Sequence, residues 1–157
     1  MQLPTLQQVI DVHSQSKGSE IGQSQHALFQ QHGNEELIPL FVEAFPKISR
    51  SEGRSAIIFG LVRYARTHQQ VVSLAISALN DRSQYIREEA CSILAYSLRD
   101  DALPYLELLL THKDSKTRSA AVAAIDAITH KNHHRFVDRS HAGNSFWVVN
   151  PGDEPGG

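Results

Sequence analysis

The chain repeats itself, and a repeat of about 30 residues constrains the fold more tightly than any composition does. Three segments align: Glu52-Gly53-Arg54-Ser55-Ala56-Ile57, Tyr85-Ile86-Arg87-Glu88-Glu89-Ala90 and Lys116-Thr117-Arg118-Ser119-Ala120-Ala121. Their arginines are 33 and then 31 residues apart, and Leu61, Leu94 and Ile125 follow at one common offset. Each segment is preceded by a second apolar stretch, at 37–45, 71–79 and 102–110. A short polar break separates the two stretches, at 47–52, 80–84 and 111–115.

Periodicity makes each stretch a helix. Leu37, Leu40, Phe41, Ala44 and Phe45 fall at the i, i+3, i+4, i+7, i+8 spacing of one helix face. Ile86, Ala90, Ile93, Leu94 and Leu98 do the same, as do Ala121, Val122, Ile125 and Ile128. Asp81 and Asp114 stand in the breaks, where a short carboxylate satisfies free backbone N–H groups. Pro39 and Pro104 are expected in first helical turns. A single helix pair cannot bury its own apolar face, so the pairs must stack. The expected fold is therefore all-α: a right-handed α-solenoid of about four antiparallel helix pairs in one domain, with repeats at 37–66, 69–100 and 102–131. Residues 4–32 supply a weaker N-terminal pair, whose second helix, Glu20–Gln31, is expected to end at Gly33.

An Asp in the interhelix turn, an Arg opening the second helix, then small residues before a Leu or Ile resemble the HEAT repeat family. Asp81, Arg87, Ala90 and Leu94 carry the pattern in one repeat, and Asp114, Arg118, Ala121 and Ile125 in the next. The repeat before them has Arg54 and Leu61, but Ser49 or Ser51 in place of the Asp. The resemblance implies that Asp81, Arg87, Asp114 and Arg118 are structural ladder residues that bridge neighbouring repeats. It says little about function.

The end of the chain breaks the pattern. Residues 133–150 include the only tryptophan, Trp147, and are expected to fold back as a non-helical cap that lays Phe136 and Trp147 over the last repeat. Phe146–Val149 favours an extended strand. Residues 151–157, rich in Pro and Gly, read as a disordered tail.

Charge excludes some functions. The formal net charge is −2. Residues 1–36 hold one base and four acids, 37–133 twelve and ten, and 134–157 two and three. No segment is basic enough to neutralise a phosphate backbone, because Glu88, Glu89, Asp100, Asp101 and Asp126 interrupt the arginines. No stretch approaches 18 apolar residues, which excludes a membrane helix. No basic leader precedes an apolar block, so a cytoplasmic location is expected. The single Cys91 excludes an internal disulfide and reads as a core residue rather than a nucleophile. His130, His133, His134 and His141 cluster, but without the rigid spacing zinc requires. No catalytic residue, cofactor or metal is expected.

What remains is protein binding. The second helices of a solenoid line an extended surface, and mixed charges with tyrosine and arginine suit interface centres. The candidate partner-binding residues are Arg63, Arg66, Glu88, Glu89, Tyr96, Arg99, Asp126, Asp138 and Trp147. In size, architecture and tail, the chain resembles bacterial immunity proteins, which neutralise a cognate toxin. That resemblance implies a non-enzymatic monomer that occludes a toxin, for example a nuclease. Glu88, Glu89, Asp126 and Asp138 would then be its counter-charges. The alternatives are a DNA-groove binder and a HEAT-type lyase or chaperone subunit.

Overall fold

A computed structural model describes residues 2–155, and among them the regular structure is entirely helical. The chain divides into two compact units, Met1–Leu61 and Val62–Gly157.

The first unit holds α1 (Leu6–Val12), α2 (Gly18–Gln31), α3 (Asn34–Ala44) and α4 (Ser51–Leu61). α1 opens on a capping box: the Thr5 hydroxyl accepts from the Gln8 N–H, and the Gln8 amide accepts from the Thr5 N–H. α1 packs on α3 and α2 on α4, so first helix meets first and second meets second, as stacked pairs require. Val9, Ile21, Leu37, Phe41, Ile57 and Leu61 are buried between them. Gly53 permits the closest approach. A Cβ there would lie 1.8 Å from the His13 carbonyl oxygen.

The second unit holds α5 (Gln69–Ala78), α6 (Gln84–Ser97), α7 (Leu103–Glu107) and α8 (Ser115–Thr129). α6 packs chiefly on α8. Small side chains suit a close contact: Ala120, Ala121, Ala124 and Ala127 of α8 are fully buried, as are Ile86, Ala90, Ile93 and Leu94 of α6. α7 lasts only five residues before it tightens into a 3-10 turn, Leu108–Thr111.

The repeated arginines close the interhelix turns. Arg54 Nη1 donates to the carbonyls of Ile48 (3.1 Å) and Ser49 (2.7 Å). Arg118 Nη1 donates to those of His112 (2.6 Å) and Lys113 (3.0 Å). Arg87 Nη1 donates to that of Asp81 (2.9 Å). Each arginine thus holds the carbonyl six residues behind it. Arg87 also reaches the following repeat, with Nε donating to Thr117 Oγ1 at 2.9 Å and Nη2 lying 3.5 Å from Asp114. Asp114 in turn caps α8, accepting from the Thr117 N–H at 3.0 Å. Asp81 stands three residues before its helix and accepts from the Ser83 N–H.

Four local expectations are corrected. Pro39 lies inside α3 rather than in its first turn. It sits on the exposed face of the helix. Gly33 does not end α2 in a left-handed conformation; with φ −62° it is the N-cap of α3. Phe146–Val149 forms no strand, because no neighbouring strand exists among the described residues to pair with it. The segment expected to be disordered is ordered through 151–155, with Asp153 buried; residues 156–157 lie outside the described residues.

Candidate protein-interaction face

The nine candidate residues all belong to the second unit, but they fall into different settings. Three of them form a closed clamp. Arg66 follows a 3-10 turn (Val62–Tyr64), and its guanidinium carbon lies 4.0 Å from the centre of the Tyr96 ring. Arg66 Nε donates to the Tyr96 carbonyl at 2.7 Å, and Nη2 lies 3.0 Å from His133 Nδ1. Trp147 packs edge-on against Tyr96 at 5.6 Å and tilted against Phe136 at 5.8 Å. The tail thus reaches past α8 to cover α6.

Tyr96 is only 1% exposed, which corrects its assignment to a partner-binding surface. Its ring fills the core. Its hydroxyl donates to Asp153 at 2.7 Å and accepts from Asn150 Nδ2 at 2.9 Å. Burial pushes the phenol upward, helped by its bond to Asp153. Asp153 is the hub of the tail. Its Oδ2 also accepts from the N–H groups of Val149 (3.0 Å) and Asn150 (2.7 Å), and Arg66 lies 3.7 Å from its Oδ1. Burial alone would raise this carboxyl, yet the donors from Asn150, Tyr96 and Val149 hold it below the ordinary range. Nothing in the Pro/Gly-rich composition pointed to it.

Three more candidates are engaged within the molecule. Asp126 gathers His130 (3.0 Å), Arg135 (3.4 Å) and His141 (2.6 Å). Burial would raise its carboxyl, but the bond from His141 and the neighbouring Arg135 and His130 outweigh that and keep it low. Asp138 caps a turn, accepting from the N–H groups of Ala142 (3.1 Å) and Gly143 (2.9 Å). Arg99 binds Asp101 at 2.6 Å and donates to the Gln69 amide. The Arg63 side chain is exposed, and its carbonyl accepts from Asn150.

Glu88 and Glu89 occupy a different place. They line an open groove of about 300 Å³ together with Tyr85, Ser92, Phe136 and Arg139. Tyr85 is 71% exposed and leads the outer stripe of α6, at helical spacing from Glu88, Glu89 and Ser92. Arg139 forms the far wall. It lies over the Phe136 ring at 4.9 Å and is held by the Phe136 carbonyl and by Ser119. Val122 of α8 is also exposed. The sequence reading named the two acids but missed Tyr85 and Arg139. The stripe opposite Ile86, Ala90 and Ile93 was the available signal for Tyr85. Nothing local marked Arg139, which the tail carries in from outside the repeat.

Other chemistry is accounted for residue by residue. The four clustered histidines split, with His130 and His141 turned to Asp126 and His133 stacked on His134 at 4.0 Å. Among the described residues, no group of three or more His, Cys, Asp or Glu is placed to hold a metal ion. Burial pushes the Cys91 thiol up to about 12, so a thiolate nucleophile is not available at neutral pH. No described helix is long and apolar enough to cross a membrane. No curated protein matches the chain. Residues 72–136, which carry Tyr96 of the clamp and every groove residue but Arg139, match the HEAT repeats family, and it is these repeats that the helix pairs of the second unit resemble.

Proposed function

We propose that this chain is a non-catalytic protein-binding module, an immunity protein that binds and occludes a cognate bacterial toxin through the face formed by α6, α8 and the tail. HEAT repeats commonly mediate binding between proteins, and residues 72–136 carry them. The observation that carries the reading is the groove beside Tyr85. An exposed aromatic ring, two carboxylates and a pinned guanidinium line one concavity, the mixture that interface centres favour. The groove walls are already ordered by α6 and by Arg139's bonds, so docking costs little conformational entropy.

The test is affinity capture with the full chain and with its Glu88→Lys/Glu89→Lys variant as baits, followed by mass spectrometry. A toxin domain retained by the unaltered chain and lost by the variant supports the reading. Retention of the same partner by both baits contradicts the assigned face. Retention of duplex DNA at physiological salt contradicts protein binding as the function.

A further inference from the structure

Two consecutive histidines hold one residue of the tail from both sides. His133 Nε2 lies 2.7 Å from the Trp147 carbonyl oxygen, and the Trp147 N–H donates to His134 Nδ1 at 2.9 Å. The partners dictate the tautomers. A carbonyl only accepts, so His133 Nε2 carries its proton. A guanidinium only donates, so His133 Nδ1, facing Arg66 Nη2 at 3.0 Å, is a bare acceptor. A backbone N–H only donates, so His134 Nδ1 is bare as well. The closed tail therefore needs both imidazoles neutral, and their ring centres are 4.0 Å apart. A proton on either Nδ1 removes an acceptor and sets two donors against each other. Protonating both stacks two cations beside Arg66.

We propose that residues 146–154 form a proton-released strap, closed at neutral pH and lifted from α6 when His133 takes up a proton in mildly acidic solution. Opening uncovers Tyr96 and Phe136, the aromatic faces that Trp147 covers. The surrounding charges favour release. From the segment after the first 3-10 turn of this unit, Arg66 opposes an imidazolium at His133. From α6, Tyr96 stays un-ionised in this range. From the end of α8, Lys131 is engaged with Asp100, while Arg135 and Asp126 pair with each other. Asp153, from the tail itself, is the anion that favours the proton. Burial nevertheless holds His133 below its ordinary value, with His134 and Arg66 adding to it against the Trp147 carbonyl and Asp153.

The open strap takes up protons near pH ~6.5 and the closed one at lower pH. Closure is therefore fully favoured above about 6.5 and weakens as pH falls below it. Asp153 acts in a separate window. Its carboxyl is depressed from 3.8, so its contribution persists until the pH falls below that value. The interval from about pH 4 to 6.5 isolates His133 from Asp153.

Trp147 is the only tryptophan, so its emission reports the strap. The experiment follows the emission maximum and the far-UV circular dichroism of the full chain from neutral to mildly acidic pH. The expected result is a red shift with its midpoint below about 6.5 and an unchanged helical signal. The His133→Gln/His134→Asn variant keeps a donor to the Trp147 carbonyl and an acceptor for its N–H but cannot titrate, and it should lose the shift. An emission maximum that stays constant over this range in the unaltered chain, or the same shift in the variant, overturns the proposal. If the variant does not fold, amide exchange at Trp147, Val149 and Asn150 of the unaltered chain decides, after correction for the intrinsic pH dependence. Protection should fall by up to about tenfold per pH unit as His133 takes up its proton, while the helices stay protected. Protection lost only together with that of α6 and α8 overturns it.

Discussion

The Tyr96 hydroxyl donates to the Asp153 carboxylate at 2.7 Å, joining the middle of the second unit to a residue 57 positions further along the chain. Tyr96→Phe keeps the ring under Arg66 but strips one donor from a buried carboxylate. A loss of about 1–2 kcal/mol is expected, read from the urea midpoint. Asp153→Ala leaves the Tyr96 hydroxyl and the N–H groups of Val149 and Asn150 without this acceptor, and is expected to cost about 3 kcal/mol. A smaller loss for Asp153→Ala than for Tyr96→Phe would contradict the hub.

Arg87 and Arg118 occupy the same place in successive repeats but do different amounts of bridging. Arg87 is 9% exposed and also binds Thr117 and Asp114 of the next repeat. Arg87→Ala should cost about 2–4 kcal/mol, because it removes a buried guanidinium together with its bonds to the Asp81 carbonyl, Thr117 and Asp114. Arg118→Ala loses only its bonds to two turn carbonyls and should cost about 1 kcal/mol. Denaturant melts of the two variants compare them directly. Equal losses would mean that the reach into the next repeat carries no weight.

Two glycines in the first unit should respond in opposite directions. At Gly53 an added methyl meets the His13 carbonyl and the Ile48 side chain, so Gly53→Ala should destabilise by about 3 kcal/mol or more. At Gly22, inside α2, nothing lies within 4 Å of the added carbon. Gly22→Ala should therefore stabilise the chain by about 0.5–1 kcal/mol through helix propensity. Thermal unfolding of the pair is the check.

Cys91 is fully buried, and its thiol is pushed up to about 12. A thiol-specific reagent at neutral pH should react only as fast as the native state opens, and at once in denaturant. Fast labelling of the native chain would show that α6 and α8 do not seal it.

The repeat was legible because stacking demands a periodic core, and Arg54, Arg87 and Arg118 mark the same turn in each unit. Asp114 was legible as a cap because a short carboxylate before a helix has one obvious use. Tyr96 was misread for a related reason. Aligning repeats assigned it to an exposed stripe, whereas the tail, which lies outside the repeat, buries it. Asp153 was invisible because Pro and Gly around two adjacent acids signal solvation, and its partners lie on α6 and in a turn of the tail. Arg139 was hidden in the same way. Periodicity reports on faces that pack within the repeat, while contacts made by a segment folding back depend on where that segment lands.

The central claim is that α6 and the tail present the working surface, and amide exchange on the captured complex tests it most directly. The account predicts new protection over residues 85–92 and 136–139, with none arising around Tyr105 and Leu108, which are exposed in the second unit away from the groove. Protection confined to Tyr105 and Leu108, with residues 85–92 exchanging as in the free chain, would contradict it.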